Sequence, residues 1–309
     1  MWTLVEAQKR SNDVLVKGII ETIIKESPIL KKLPFDTIQG NSLLYNRELT
    51  LPNAQFYAVG DTWTESSGTV EQKSAVLRIL GGDTDIDNFV KQTLSDVNNQ
   101  ESDAIEEKSK AMAHQFEASI VYGDNSVNPK EYDGLHKLVD ITMQVHMGAG
   151  AVGAACSMAK LDEMIDSVKP GRPDALIMPR TIRRRISQYY RDGTAGAMFT
   201  MKRGEDGVPL AYYGEIPIFV NDFMLMTETI AAGAYSAATG GATGSIFAVK
   251  FGSKNLHGIE NGGIQKNRLG ELETKDAVRW RIKWYVSVVL KNIFSLARID
   301  GITDAAATD

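Results

Sequence analysis

A glycine-rich segment in the middle of the chain has the spacing of a dinucleotide-binding loop. Its sequence, GAGAVG at residues 148–153, fits the pattern GxGxxG, whose glycines let the backbone approach a pyrophosphate. The stretch before it, residues 140–147, mixes polar and apolar side chains, whereas a central parallel strand is almost uniformly apolar. The next predicted strand leads into Arg180, with no acid for a ribose. We interpret the segment as a connector between domains, and a nucleotide-dependent enzyme is the remote alternative.

Three aspartates have the spacing that opens a calcium-binding loop. Asp83, Asp85 and Asp87 stand where such a loop places its first carboxylates. The turn glycine of these loops is replaced by Asn88, and Leu94 stands where a bidentate glutamate is required. We interpret the segment as an acidic extended strand, with a weak cation site as the open alternative.

No set of residues combines a nucleophile, a base and an orienting group. Cys156, the single cysteine, lacks the sequence signature of an activated thiol, and no serine lies in a GxSxG elbow. The four histidines show no metal-ligand spacing with this cysteine: His114, His136, His146 and His257. We therefore expect no catalytic residue, no cofactor-binding residue, no metal ligand and no enzymatic activity.

The charge balance excludes a protein whose main task is to grip nucleic acid. The 309 residues include 34 Lys and Arg against 39 Asp and Glu, a formal net charge of -5, which is the wrong sign for neutralising phosphates. The arginine cluster at 183–185 is therefore interpreted as an exposed helix face, with contact to phosphates or acidic partners as the alternative. The longest uncharged run, residues 229–249, is rich in small residues and predicts a loop and a strand, with no membrane span.

Two elements near the N-terminus fit poorly in a monomer. Residues 12–26 predict a helix with two adjacent apolar rows, either docked on its own domain or laid on a neighbouring subunit. Residues 41–51 and 69–80 predict two extended arms around a turn-rich tip at 52–68. Both arms are rich in polar side chains, and so long a hairpin is marginal in isolation. The hairpin must therefore pack on another surface for its stability.

A long helix and a long strand are predicted to form the framework of the fold. Residues 98–121 form one helix about 36 Å long, with Glu117 among its polar residues and the following side chains on its apolar face: Ile105, Met112, Phe116, Ser119 and Ile120. Residues 278–290 alternate polar side chains with large apolar ones, among them Trp280 and Trp284. Shorter predicted elements are helices at 159–168 and from 179, and strands at 175–178, 216–220 and 246–251. The mixture lacks a regular βα repeat and indicates the α+β class.

In this order the elements resemble the major capsid protein fold of tailed bacteriophages, which encapsulin nanocompartments share. The long helix ends in Tyr122-Gly123-Asp124, similar to the helix ending of these coats. The sequence DALIMP at 174–179 precedes a helix, and YGEIPIFV at 213–220 is similar to a recurrent strand of the family. The resemblance covers nearly the whole chain, and the order and spacing of the motifs carry it.

The resemblance implies a division of the chain into four parts. These are an N-terminal arm at 1–35, an extended loop at 36–80, a peripheral domain at 81–140 and 253–290 with the spine helix 98–121, and an apical domain at 141–252 and 291–309. Because the sequence starts at the arm, we expect any scaffolding protein to be a separate chain.

The same resemblance implies a structural role. We expect a shell protein that self-assembles into hexamers and pentamers of an icosahedral phage capsid around double-stranded DNA. Its expected partners are other copies of itself, a separate scaffolding protein and a portal, with only non-specific contact to packaged DNA and none to a membrane. The expected location is the virion, after assembly in the cytoplasm of the bacterial host. An encapsulin-like nanocompartment that encloses cargo protein is the alternative.

Overall fold

The computed structural model describes residues 29–30, 32–88, 97–148, 153–191, 198–203, 209–228 and 241–309. The strands are β1 (Phe35–Thr37), β2 (Ser42–Thr50), β3 (Thr69–Val76), β4 (Arg78–Asp87), β5 (Gln144–His146), β6 (Ala175–Met178), β7 (Phe199–Arg203), β8 (Pro209–Tyr213), β9 (Ile216–Val220), β10 (Thr243–Val249), β11 (Leu256–Leu272), β12 (Lys275–Leu290) and β13 (Leu296–Thr303). The helices are α1 (Val97–Tyr122), α2 (Leu135–Leu138), α3 (Met158–Ser167) and α4 (Arg180–Arg191). The helix predicted at 12–26 lies outside the described residues.

A four-stranded sheet forms one part of the molecule. Its order is β1-β11-β12-β4, with β1 parallel to β11 and the other pairs antiparallel. Along β12 the large apolar residues Trp280, Ile282 and Trp284 are buried, while Arg279 and Arg281 point to the other face. This alternation confirms the predicted strand at 278–290, which begins three residues earlier, at Lys275.

The long helix α1 packs on this sheet through an aromatic cluster. The ring of Phe116 lies 5.3 Å from that of Trp284 and 6.4 Å from that of Phe35, between ring centroids. Both Phe116 and Trp284 are buried, and the Trp284 indole N–H donates to Glu260 Oε2 at 2.8 Å. The predicted helix at 98–121 is confirmed, together with its apolar face. Glu117, predicted on the polar face, is instead buried.

The helix ends where the backbone turns back on itself. A Cβ atom at Gly123 would lie 2.3 Å from the carbonyl oxygen of Tyr132 and 2.6 Å from that of Ser119, so only glycine fits. The Gly123 carbonyl accepts from Gly134 N–H at 2.8 Å. This close approach brings α2 against the end of α1.

A mixed seven-stranded sheet forms the other part. Its order is β5-β13-β10-β6-β9-β8-β7, with β5 parallel to β13 and β6 parallel to β9. Every residue of β6 and β10 is buried, as expected of central strands. The predicted strands at 175–178 and 216–220 and helix at 159–168 are confirmed, and the α+β class with them. Within the described residues, no helix is long and apolar enough to cross a bilayer.

The strands differ from the prediction in two places. The extended run predicted at 69–80 is two strands, because the chain bends at Leu77 and β4 joins the four-stranded sheet instead of the hairpin. Strand β11, the long partner of β12, was not predicted at all. Its pattern is interrupted at Gly262 and Gly263, whose φ angles of +73° and +62° lie in a region that favours glycine. The β11–β12 register shifts there, which removes the two-residue period that marks a strand.

The aromatic cluster should dominate the stability of the subunit. Phe116→Ala or Trp284→Ala should each lower the free energy of unfolding by about 3–5 kcal/mol, because each leaves a cavity between α1 and the sheet. Urea denaturation of dissociated subunits measures this. Leu269→Ala, at an exposed position on β11, is the control and should change the free energy by less than about 0.5 kcal/mol. Equal small effects at all three positions would contradict the burial.

Candidate functional site

The hairpin of β2 and β3 stands apart from both larger sheets. The two strands pair antiparallel from Ser42–Val76 to Thr50–Thr69 and form a sheet of their own. Residues 51–70 are all exposed except Tyr57, which is half-buried. The tip therefore adds nothing to the core of the subunit.

The tip is nevertheless held by its own contacts. The rings of Tyr57 and Trp63 stack with 4.2 Å between centroids. The Ser66 hydroxyl donates to the carbonyl of Asn53 at 2.9 Å, and the carboxylate of Asp61 accepts from Ala58 N–H at 2.6 Å. These contacts give the tip a shape without docking it on the subunit.

Exposed apolar side chains are concentrated on the hairpin and at the start of β4, which follows it. Of the fifteen large apolar side chains exposed in the described part of the chain, eight lie between residues 44 and 79. They are Leu44, Leu51, Phe56, Val59, Trp63, Val70, Val76 and Ile79. The side chains of Phe56 and Val59 are fully exposed, and 78% of Trp63 is exposed. Apolar groups gathered on one projecting element mark a contact surface.

The hairpin contacts the body along β2. Arg47 donates from Nε to the carbonyl of Lys291 at 3.1 Å and from Nη2 to the carbonyl of Leu290 at 2.8 Å. The Tyr45 hydroxyl donates to the same Leu290 carbonyl at 3.1 Å. Burial raises the pKa of this phenol, so it stays protonated and keeps donating.

A buried polar cluster joins the end of α1 to the seven-stranded sheet. Arg298 of β13 and Glu228 are 2% and 1% exposed, and Nη2 of the arginine lies 3.5 Å from Glu228 Oε2. Ser245 of β10 donates to this oxygen, and its hydroxyl accepts from Arg298 Nη2 at 3.0 Å. The Tyr122 hydroxyl donates to Glu228 Oε1 at 2.6 Å. One carboxylate thus contacts α1, β10 and β13.

One histidine completes this cluster, and a second histidine lies near it at the edge of the sheet. His136 Nε2 lies 3.2 Å from Glu228 Oε1, and its ring stacks on Tyr122. Burial lowers the pKa of His136, so the ring is neutral at pH 7. Burial alone would raise the pKa of Glu228, but the contacts from His136, Ser245 and Tyr122 lower it below its ordinary value. At the sheet edge, His146 Nδ1 lies 2.6 Å from Asp300 Oδ1.

The aspartates with calcium-loop spacing face arginines. Asp83 accepts two hydrogen bonds from Arg281 at 2.7 Å each, and Asp85 accepts two from Arg279 at 2.6 and 2.7 Å. These bonds lower the pKa of both carboxyls. The Asp87 side chain lies outside the described part. Among the described residues, no three His, Cys, Asp or Glu side chains converge as metal ligands do.

The arginine cluster of α4 is mostly engaged within the chain. Arg185 Nε lies 2.6 Å from Asp304 Oδ1, and Arg184 Nη2 lies 3.3 Å from the same oxygen. The predicted outward face at 183–185 is therefore partly wrong, because Arg183 and Arg185 are half-buried and Arg184 alone of the three is exposed.

The single cysteine is protected by its surroundings. Burial raises the pKa of the Cys156 thiol to about 12, which keeps it protonated and unreactive.

The glycine-rich segment GAGAVG lies partly outside the described residues, which stop at Gly148 and resume at Gly153. The strand before it, β5, is an edge strand that pairs only with β13, whereas a dinucleotide fold needs a central strand there. A Cβ atom at Gly153 would lie 2.5 Å from the carbonyl oxygen of Gly301. Close packing against β13 accounts for this last glycine.

Sequence reasoning missed the buried cluster. The one local signal is the pair Arg298 and Asp300, two charges inside a strand of otherwise apolar residues. Buried charges need partners, so this pair predicts a counterion. Nothing in the sequence shows that the counterion is Glu228, seventy residues away.

The fold of this chain is similar to that of several solved structures, although its sequence has no close match. No protein-family model and no curated protein sequence matches this chain. A chain of the holo-SrpI encapsulin complex from Synechococcus elongatus PCC 7942 is similar over 91% of this chain and 89% of that one, with a TM-score of 0.66 and 13% identity. The capsid of a native GTA particle matches over 91% and 90% of the two chains, with a TM-score of 0.59 and 11% identity. A chain of Mycobacterium phage Adephagia matches over 90% and 89%, with a TM-score of 0.59 and 14% identity.

These similarities cover nearly the full length of both chains in every case. The chain therefore has the fold shared by phage capsid proteins and encapsulins. This confirms, at the level of the fold, the resemblance drawn from the order of the sequence motifs.

The buried histidines predict how stability depends on pH. Burial lowers the pKa of His136 and His257 in the folded state, so the unfolded state binds more protons below about pH 6.5. Stability should be complete above that pH and fall below it, with a slope of at most about 1.4 kcal/mol per pH unit for each proton. The lowered pKa of Glu228 extends the loss to more acidic pH. Urea denaturation across this range measures the slope.

The control for this prediction is another histidine. His136→Gln should reduce the slope, whereas His114→Gln, at an exposed position of α1, should leave it unchanged. A wild-type free energy of unfolding that stays constant between about pH 7.5 and about pH 5.5 would contradict the prediction.

Proposed function

We propose that this chain is the structural subunit of an icosahedral phage capsid, which assembles from hexamers and pentamers around double-stranded DNA. The observation that carries the proposal is the tip at 51–68, which exposes Phe56, Val59 and Trp63 and stands apart from the core of its own subunit. Such a surface is stabilised when it packs on another copy. The similarity to capsid and encapsulin chains supports the same role. The role is structural and not catalytic.

We further propose the division into arm, extended loop, peripheral domain and apical domain at the boundaries 1–35, 36–80, 81–140 with 253–290, and 141–252 with 291–309. The two larger sheets support this division. All strands of the seven-stranded sheet lie within 144–249 and 296–303, and those of the four-stranded sheet lie within 35–87 and 256–290. The chain thus passes between the sheets three times, near residues 140, 252 and 291.

The proposed partners are other copies of the chain, a separate scaffolding protein and a portal. Contact with packaged DNA is non-specific, because the net charge of -5 does not favour a firm grip on phosphates. The proposed location is the virion, after assembly in the bacterial cytoplasm. An encapsulin-like shell around cargo protein is the second candidate, since one similar chain belongs to an encapsulin complex.

Replacing the tip tests the proposal. Substituting residues 52–68 by a short Gly-Ser turn should abolish assembled species heavier than a dimer, as measured by analytical ultracentrifugation. The midpoint of thermal unfolding should stay within a few degrees, on the order of 1 kcal/mol, because the tip contributes no core. A second variant of full length, Phe56→Ser with Trp63→Ser, should also impair assembly. A wild-type chain that stays a 33.9 kDa monomer in all conditions would refute the proposal, and unfolding of the tip variant would refute the role of the tip.

Expression of the chain alone distinguishes the two shells. A phage coat relies on scaffolding and portal proteins to select one curvature among several of similar energy, so alone it should form polymorphic shells, tubes or free capsomers. Electron microscopy of the purified protein measures this distribution. A uniform population of small closed particles that copurify with a single cargo protein would favour the nanocompartment instead.

A further inference from the structure

The hairpin meets the body where the chain crosses from one sheet to the other. Strand β12 ends at Leu290 in the four-stranded sheet, and β13 begins at Leu296 in the seven-stranded sheet. The carbonyls of Leu290 and Lys291, at the start of this crossing, accept the hydrogen bonds from Arg47 and Tyr45. The arm of the hairpin is therefore bonded to the connection between the sheets.

These carbonyls are free for the hairpin because β4 leaves the edge of β12 before they are reached. The last β4–β12 pair is Arg78–Val286, and Leu290 pairs with Leu256 on the opposite side. A carbonyl at a strand end still needs a donor. The planar fork of Arg47 supplies one to each of two consecutive carbonyls, a geometry that a lysine ammonium does not reproduce.

The positive charge of the same guanidinium also favours the ionised form of Asp140, which lies at another crossing between the sheets. Asp140 caps the short 3-10 helix Ile141–Met143, which leads into β5 of the seven-stranded sheet. Hydrogen bonds from Thr142 lower the pKa of this carboxyl most, and the charge of Arg47 lowers it further. Arg47 thus bonds the crossing from β12 to β13 and attracts a carboxylate at the crossing that leads into β5.

The contacts of Arg47 lie far along the hairpin, where they resist its tilting most effectively. The foot of the hairpin is the Ser42–Val76 pair, whereas Arg47 pairs with Glu71 farther along the arms. At about 3.4 Å per residue, this places the contact roughly 17 Å from the foot. A bond at that distance resists tilting of the whole arm, which bonds at the foot alone do not.

We propose that Arg47, supported by Tyr45, is a positioning residue for assembly. It fixes the direction in which the hairpin leaves the subunit by bonding the arm to the crossing from β12 to β13. The tip then meets a neighbouring copy at a defined place relative to the two sheets. This consequence rests on the proposed function, whereas the orientation of the hairpin is a property of the single subunit and is measured separately.

Distances between two spin labels test the orientation. Gln55→Cys on the tip and Lys130→Cys on the body are exposed labelling sites, and the native thiol of Cys156 is buried. Labelled chain is diluted into excess unlabelled chain, so that double electron-electron resonance reports distances within one subunit. The wild type should give one narrow distance distribution, and Arg47→Lys should lose it in favour of a broad one. Tyr45→Phe, which removes a single hydrogen bond, should broaden it less.

The matched control is Arg78→Lys. Arg78 lies at the foot of the hairpin and donates to Asn125 Oδ1 at 2.6 Å, away from the crossings, so this change should leave the distribution narrow. An unchanged distribution in Arg47→Lys, or equal broadening in both variants, would overturn the proposal. The Arg47→Lys chain should also show a smaller assembled fraction in ultracentrifugation, and an assembled fraction equal to that of the wild type would overturn the link to assembly. If the wild type forms no shell at all, the proposed function fails while the label distances still test Arg47.

Discussion

A buried arginine determines how the main parts of the subunit are joined. Burying a charged group costs several kcal/mol unless its partners are close and well oriented, and Arg298 is only 2% exposed. Its nearest countercharge, Glu228, also bonds Tyr122 at the end of α1 and Ser245 on β10. All these contacts require the end of the long helix to lie against one place on the seven-stranded sheet. The cluster therefore selects a single arrangement of the two.

The rest of the architecture follows from that arrangement. Because Phe116 of the same helix packs on Trp284 of the four-stranded sheet, α1 connects both sheets and holds them in a fixed relation. The hairpin is the element that this framework does not bury. Its arms form a two-stranded sheet, which is marginally stable at best without support, and its support within the subunit includes the contacts of Tyr45 and Arg47. Within the described residues, the hairpin thus projects from a framework in which the long helix holds the two larger sheets together.

The elements with strong periodicity were predictable from the sequence, and the contacts between them were not. The apolar faces of helix α1 and strand β12 are visible in the sequence. The hairpin is visible too, through its polar arms and its turn-rich tip. Strand β11 was missed because the glycines at 262 and 263 shift its register. The bend at Leu77 was missed because it depends on the pairing of β4 with β12, a strand near the other end of the chain. The partner of Arg298 and the fork of Arg47 are likewise long-range choices that no local pattern records.

The dependence of each joint on contacts between distant residues explains why one fold can serve containers of different kinds. The contents of a shell depend on its inner surface and its curvature, and curvature is set by small angles between neighbouring subunits and not by the core of any one of them. Changes of a few degrees cost little when they are taken up at loops and hinges. In this chain the core residues fix the relation of the sheets, whereas the arm of the hairpin is joined to the body by three hydrogen bonds to two carbonyls, the contacts that we propose set its angle. We therefore expect side chains at that joint, more than those of the core, to set the direction of the hairpin.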